Sequence, residues 1–209
     1  MQGLTRKIPF LPALFFLLLF STKSFGQYPV WVKQLSNQAD ADAHACAVAP
    51  NGNVYVGGSF AGDLNLDPSG SNFTIYGNGS RDIFLACYRS NGAFLWGFSI
   101  GGAGNDIVQN ITADKDNNPI IVGQFRGQNV DFDSDPASRK YLHSKGAADG
   151  YIAKYNSGGA YMWAISLGGS TEYDDIQSVV TDEVGNVYAG GDFHGIMDID
   201  PQATATTNL

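Results

Sequence analysis

Trp96-Gly-Phe-Ser-Ile100 is the stretch of sequence that decides the fold, because matching stretches occur on either side of it. The matches are Trp31-Val-Lys-Gln-Leu35 and Trp163-Ala-Ile-Ser-Leu167, so that successive Trp residues lie 65 and 67 positions apart. Similarity at a nearly fixed period is the sequence signature of a repeat architecture. The chain is therefore expected to contain copies of one structural unit, each marked by its Trp.

Further phrases of six to nine residues alternate apolar and polar side chains and are separated by Gly and Asn, three of them in each of the first two units and two in the third. Alternation of this kind between turn-forming residues predicts β-strands joined by hairpins. We name the strands A to D in chain order, with the Trp phrase as strand D. The predicted bounds are 43–49, 106–114 and 174–182 for strand A, 54–60, 120–125 and 187–193 for strand B, and 83–89 and 151–156 for strand C.

Four antiparallel strands per unit, repeated radially, predict an all-β protein built from the blades of a β-propeller. Residues 30–36 are expected to form a lone outer strand, residues 37–100 and 101–167 two repeats, and residues 168–209 a partial third repeat. This amounts to about two and three-quarter blades, whereas a closed ring needs at least about four. We expect an incomplete ring, with the remainder of a longer propeller chain as its partner.

The N-terminal residues 1–26 have the features of a secretory signal peptide. Arg6 and Lys7 precede an apolar run at 8–20, and small residues precede a possible cleavage position before Gln27. This apolar run is shorter than the roughly 20 residues that a membrane-spanning helix needs. We expect cleavage, no membrane span after it, and a protein that is secreted or held on the outer cell surface. An uncleaved N-terminal anchor is the alternative.

The composition excludes one class of partner and one class of fold. Lys and Arg together number 12 against 20 Asp and Glu, a formal net charge of −8. Binding of nucleic acid depends on clustered Lys and Arg that neutralise phosphates, so no nucleic-acid partner is expected. The chain contains 26 Gly and only 15% charged residues, a composition that suits strands and tight turns and disfavours helices.

Two of the repeated phrases resemble a known family. Asp82-Ile-Phe-Leu-Ala-Cys-Tyr88 and Val54-Tyr-Val-Gly-Gly-Ser-Phe60, together with the Trp phrases, are similar to the SBBP-type bacterial β-propeller repeat. The resemblance covers the chain from Val30 onward. It implies the propeller fold and a secreted or surface protein of the Bacteroidetes type, and it implies almost nothing about activity.

An Asp-rich bend follows strand B in each copy, and it supplies the candidate metal ligands. Asp131, Asp133 and Asp135 lie two residues apart, a spacing that calcium-binding loops use because Ca²⁺ prefers six to eight oxygen ligands. The glycine and glutamate of an EF-hand loop are missing. The alternative is structural, since Asp side chains accept hydrogen bonds within their own turns. For Asp82 and Asp149, just before strand C, the two interpretations are that they accept hydrogen bonds from backbone N–H groups of the turn, or that they act as ligands or acids.

The two cysteines are expected to be separate thiols. Ile111 and Val179 occupy the repeat positions equivalent to Cys46, whereas Lys154 is the equivalent of Cys87. Cys46 is therefore expected in the core and Cys87 on the opposite side of its strand. A single disulfide between them is the alternative.

No catalytic residues and no cofactor are assigned, because no recognisable set of nucleophile, acid and base appears. We predict a non-enzymatic exported propeller module for binding or scaffolding, whose partner is a protein or a glycan. The alternative is a glycan-acting hydrolase or lyase that uses Asp residues on one face of the complete propeller.

Overall fold

The computed structural model describes residues 31–35, 40–169 and 172–195, and these residues form strands, turns and bends without a helix. The strands, in chain order, are β1 (Asp40–Val48), β2 (Val54–Ala61), β3 (Asp63–Asn65), β4 (Thr74–Tyr76), β5 (Asp82–Tyr88), β6 (Phe94–Ile100), β7 (Ile107–Ala113), β8 (Pro119–Phe125), β9 (Val130–Asp131), β10 (Tyr141–Leu142), β11 (Asp149–Tyr155), β12 (Tyr161–Leu167), β13 (Asp175–Thr181) and β14 (Val187–Asp192).

Two four-stranded antiparallel sheets follow the predicted order A-B-C-D. The first blade is β1-β2-β5-β6 and the second is β7-β8-β11-β12, while β13 and β14 form the A and B strands of a third unit. The predicted all-β class and incomplete propeller are thus confirmed. Trp96 and Trp163 both lie on the outermost strand of their sheet, as equivalent positions in a repeat should.

Strand A carries the same irregularity in all three units. The register shifts between Ala43 and Ala45 in β1, between Val108 and Asn110 in β7, and between Ile176 and Ser178 in β13. A β-bulge bends its strand and increases the local twist. Recurrence at equivalent positions shows that the units share their backbone geometry as well as their sequence.

The core lies between the sheets, because both faces of each blade are apolar. One cluster joins the first blade to the second and includes Tyr55, Leu85, Ile111 and Tyr151. A smaller cluster joins the second blade to β13. Hydrophobic burial therefore stabilises each blade through its neighbours, as in other repeat architectures.

The long connections between strands B and C each contain a short hairpin. Residues 63–81 contain the hairpin β3/β4, and residues 128–148 contain the hairpin β9/β10. Their apolar side chains explain the pairing, because Leu64, Leu66 and Ile75 are buried in the first hairpin segment and Val130 and Phe132 in the second. We call these segments the first and second loop hairpins.

Residues 31–35 differ from the predicted lone outer strand, since they form no strand. A strand needs a hydrogen-bonded neighbour, and no described strand pairs with this segment. The segment nevertheless lies where an outer strand of a preceding blade would lie. The indole Nε1 of Trp31 donates to the carbonyl of Ser90 at 2.9 Å, and Trp96 makes the equivalent bond to Ser157 at 3.0 Å.

The cysteines are separate thiols, but their predicted environments are reversed: Cys46 is exposed and Cys87 is fully buried. Cys87 lies in the cluster that the second blade covers. Ile111, the equivalent of Cys46, packs toward the first blade, whereas no described blade precedes Cys46. The repeat equivalence therefore places Cys46 on the correct side of β1, but among the described residues no preceding blade covers that side.

The predicted signal peptide, residues 1–26, lies outside the described residues. Within the described part of the chain, no helix is long and apolar enough to cross a membrane.

Candidate binding groove at the edge of the first blade

A groove of about 710 Å³ runs over the outer edge of the first blade. The first loop hairpin forms one wall and the second loop hairpin forms the other. The floor consists of Gly97, Phe98 and Ser99 of β6 and of Gly101, which directly follows β6. A shallower recess of about 300 Å³ continues past Phe98 and Ser134 to Trp96. We call the two together the edge groove.

The floor of the edge groove is the free side of an edge strand. β6 pairs with β5 on one side, from Ile83 opposite Ile100 to Tyr88 opposite Phe94. On its other side the described residues contribute a single antiparallel bridge, between Gly101 and Asp131. The remainder of that edge presents backbone donors and acceptors to the groove.

Aromatic side chains line the walls of the edge groove. Tyr76 is 67% exposed, Tyr141 is 47% exposed and Phe73 is 40% exposed. Phe73 is held against Phe94 with ring centroids 5.0 Å apart. Exposed aromatic rings around a concave surface are typical of binding sites, because they offer apolar area at a low cost in conformational entropy.

The structure brings the predicted metal ligands to the edge groove. Asp131 and Asp133 line its main part, and Asp135 lines the recess. Each carboxylate caps a turn: Asp131 Oδ1 accepts from the N–H of Asp133 at 3.1 Å and of Lys140 at 2.9 Å, Asp133 Oδ1 accepts from the N–H of Asp135 at 3.0 Å, and Asp135 Oδ1 accepts from the N–H of Ala137 at 2.9 Å.

The second oxygens of these carboxylates are used unequally. Asp131 Oδ2 forms an ion pair with Arg139 at 3.2 Å. Asp133 Oδ2 accepts no hydrogen bond from the described residues. Across residues 31–35, 40–169 and 172–195, no group of three Asp, Glu, His or Cys side chains converges as a metal site requires. The calcium site at Asp131, Asp133 and Asp135 stays a prediction.

We call the contact between residues 31–35 and the first blade the N-terminal junction. At this junction the acid equivalent to Asp133 has a lysine as its partner, which Asp133 lacks. Asp67 is the repeat equivalent of Asp133, and Lys33 Nζ lies 2.8 Å from Asp67 Oδ1. This ammonium group also lies 4.9 Å from the centre of the Tyr88 ring. The hydrogen bond from Lys33 lowers the pKa of Asp67.

At the contact between β6 and the second blade, the central junction, Phe98 takes the position of Lys33. Its ring lies 4.9 Å from that of Tyr155, the equivalent of Tyr88. The two junctions otherwise correspond, since the hydroxyls of Tyr88 and Tyr155 each donate to a loop carbonyl at 2.8 Å. Among the described residues, no cation therefore takes the place of the missing lysine beside Asp133.

Asp82 and Asp149 stabilise turns, as one of the two sequence interpretations expected. The backbone N–H of Asn78 donates to Asp82 Oδ2, and the N–H groups of Lys145 and Gly146 donate to Asp149 at 3.0–3.1 Å. Both carboxylates are buried. Burial raises the pKa of Asp82, against the lowering effect of the Asn78 bond.

Sequence reasoning missed two equivalent buried acids at the blade boundaries. Asp106 accepts from the N–H groups of Gly102 and Arg126, both at 2.9 Å. Asp174 accepts from those of Gly169 and His194, both at 2.7 Å. The signal was present, because an Asp opens predicted strand A in the second and third copies. These acids tie the loop before strand A to the end of strand B.

No known protein-family model matches the chain. The chain is 26% identical over 187 residues to an uncharacterized WD repeat-containing protein of Acanthamoeba polyphaga mimivirus, a match that covers 79% of this chain. It spans only 13% of the length of that relative. Together with the repeated antiparallel sheets, this similarity supports a β-propeller-type repeat, a fold that suggests a binding or scaffolding module.

Proposed function

We propose that the chain is part of an exported, non-enzymatic β-propeller of the SBBP type that binds its partner through the edge groove. The observation that carries the proposal is the groove itself, in which a free strand edge lies between two walls of exposed aromatic side chains. Export is supported by the signal-like residues 1–26, and a secreted or surface location follows from export.

The use of the buried acids favours binding over hydrolysis. Asp82, Asp106, Asp149 and Asp174 all accept hydrogen bonds from backbone N–H groups. A carboxylate occupied in this way supports the fold and is poorly placed to transfer protons to a substrate. We therefore propose a binding module with no cofactor, ahead of the glycan-acting hydrolase or lyase.

Further blades complete the ring in this proposal. In the first two units strand C pairs with strand B, as β5 does with β2 and β11 with β8. The corresponding side of β14 has no partner among the described residues. We propose that the remainder of a longer propeller chain supplies it.

The test of the binding role uses the fluorescently labelled full chain on arrays of peptides and of oligosaccharides. We expect retention by one of the two classes, and loss of that retention in a Y76A/Y141A variant, because these exposed rings line the groove and carry little of the core. Retention that survives the double substitution, or cleavage of an oligosaccharide by the unaltered chain, would contradict the proposal.

The test of export compares the full chain with a version that begins at Gln27, both expressed in a Gram-negative host. We expect the full chain to appear outside the cytoplasm with Gln27 at its new N-terminus, measured by mass spectrometry. Cytoplasmic retention of both versions would contradict export.

A further inference from the structure

We propose that the edge groove binds an extended peptide that adds as a strand to the free side of β6 and places a Lys or Arg side chain on Asp133. This inference rests on the proposed function and names the ligand class of the same groove. Three observations carry it: the unpaired edge of β6, the incomplete partnering of Asp133, and the way in which Lys33 binds the equivalent acid.

The free edge of β6 supports strand addition. Among the described residues, the only backbone pairing on this side is the bridge between Gly101, which directly follows β6, and Asp131. That bridge places a short antiparallel neighbour at one end of β6, so an added strand would lie beyond it, beside residues 96–99. Strand addition to a sheet edge is a recurrent mode of peptide recognition, in which backbone hydrogen bonds supply affinity and side-chain sites supply specificity.

Asp133 supplies the specificity site. Its Oδ1 is occupied by the N–H of Asp135, and its Oδ2 accepts nothing from the described residues. The neighbouring Asp131 already has Arg139. A ligand that brings a cation to Asp133 would form a charge-assisted hydrogen bond without displacing an existing partner.

The N-terminal junction provides an intramolecular precedent. There a segment outside any strand, residues 31–35, presents Lys33 to the acid equivalent to Asp133, with the ammonium group above an aromatic ring. At the central junction Phe98 replaces that lysine, which leaves the acid open to a cation from another chain. The net charge of −8 favours the approach of such a basic ligand.

A glycan would use only part of this site. Tyr76 and Tyr141 could pack against sugar rings, but a glycan has no strand backbone to pair with β6 and no cation for Asp133. The peptide accounts for the edge, the acid and the aromatic walls together, so it is the ligand that the geometry favours.

The experiment measures fluorescence anisotropy of the full chain with four probes. The first is a capped octapeptide of alternating Thr and Lys, and the second has Glu in place of Lys. The third has Pro in place of every Thr, which removes backbone donors. The fourth is a labelled chitin or cellulose oligosaccharide. We expect binding of the Thr–Lys peptide, and binding at least about tenfold weaker for the Glu and Pro peptides.

Matched variants locate the contact. D133N is expected to weaken binding of the Thr–Lys peptide by about tenfold, as the loss of one charge-assisted contact would. D116N removes the same charge from an exposed turn, where the Asp116 carboxylate pairs, among the described residues, only with Lys115, and is expected to change affinity less than about twofold. F98K should weaken binding more than F98M does, because both substitutions remove the ring and only the lysine supplies an intramolecular cation.

Each outcome of these binding experiments supports or overturns the peptide proposal. Equal affinity for D133N and D116N, or undiminished binding of the Pro peptide, would overturn the peptide proposal. Oligosaccharide binding that requires Tyr76 and Tyr141, without peptide binding, would overturn it and leave the proposed binding function standing. Failure of every probe, here and on the arrays, would overturn both. If F98K does not fold, D133N and the Pro peptide still decide the outcome.

Discussion

The two complete blades share their backbone-directed hydrogen bonds and differ in their ion pairs. In both, a strand C tyrosine donates to its loop hairpin, and a Trp from the preceding outer segment donates to a turn carbonyl. By contrast, among the described residues the ion pair of Lys33 with Asp67 at the N-terminal junction has no equivalent at the central junction. The ion pair of Lys154 with Asp114 in the second blade, at 2.7 Å, likewise has no equivalent in the first blade. The repeat therefore preserves the contacts that hold backbone and lets the charged pairs vary.

The ion pair of Lys154 with Asp114 differs between the blades in both of its members at once. The equivalents of Asp114 and Lys154 in the first blade are Ala49 and Cys87, which are both buried. An ion pair in one blade thus corresponds to an apolar pair in the other. Asp133 departs from this pattern, because its cation has been replaced and its carboxylate has been kept. That departure is the reason to look for a ligand at the edge groove.

The largest expected effect comes from breaking the pair in the second blade. The Asp114 side chain is 3% exposed and that of Lys154 is 13% exposed. Burial would raise the pKa of Asp114, but bonds from Lys154 and Asn118 outweigh it and lower the pKa overall. D114A leaves a buried lysine unpaired, so we expect a loss of about 3–5 kcal/mol in the free energy of unfolding, measured with denaturant.

The control for this prediction is the combination found in the first blade. D114A/K154C removes both charges and should recover part of the loss, although the hydrogen bonds that the N–H groups of Asp116 and Asn118 donate to Asp114 remain absent. Purely additive effects in the double-mutant cycle would show that the two side chains are not coupled and that the comparison between the blades fails.

The next effect concerns pH at the central junction. Burial raises the pKa of Asp106 to about 6, against the lowering effect of the Arg126 and Gly102 N–H donors and with a smaller rise from the Asp82 charge. A raised folded-state pKa means that the contribution of Asp106 is fully present below its ordinary pKa of 3.8 and is lost as the pH rises through about 6. The expected fall in the free energy of unfolding is roughly 2–3 kcal/mol between pH 4 and pH 7.

The variant D106N isolates this pH dependence. Its amide must turn an NH₂ group toward one backbone N–H, so D106N is expected to be less stable at pH 4, but its stability should vary less between pH 4 and pH 7. The measurement is the slope of unfolding free energy against pH for both proteins. Parallel slopes would assign the titration to other acids, such as the buried Asp82 and the half-buried Asp175, whose pKa values desolvation also raises.

A smaller effect distinguishes the two Trp contacts. Gly92 and Gly159 have φ of +83° and +90°, and an added Cβ would lie 2.9 Å and 3.0 Å from Cδ2 of Trp31 and Trp96, respectively. The positive φ costs alanine about 1–2 kcal/mol at either position. Trp96 is fixed in β6 by the ladder to β5, whereas Trp31 lies in a segment without strand pairing. G159A should therefore cost more than G92A.

Tryptophan fluorescence during denaturant unfolding measures this difference. The G92A indole is expected to move at little additional cost, which would appear as a changed native spectrum with a modest shift of the midpoint. Equal losses for G92A and G159A would mean that residues 31–35 are held as firmly as a true outer strand.

The strands were predictable from sequence because their periodicity and turn residues are local, and the bounds agree to within a few residues. The edge groove was not, because its walls come from two loop hairpins in different repeats and its floor from a strand edge. Asp131, Asp133 and Asp135 were found as candidates, but the lack of a cation at Asp133 depends on Phe98, which only the packed junction reveals. Cys46 was misplaced because sequence equivalence assumes equivalent neighbours.

The smallest expected effect is that of calcium on the central junction. The Oδ1 atoms of Asp131, Asp133 and Asp135 already accept backbone hydrogen bonds, and Asp131 Oδ2 pairs with Arg139, so few oxygens remain for a cation that prefers six to eight. We expect the melting temperature in excess Ca²⁺ to exceed that in chelator by less than about 2 °C. A larger rise that D131N/D133N abolishes would instead establish the calcium site, and it would give Asp133 a metal ion in place of a basic peptide.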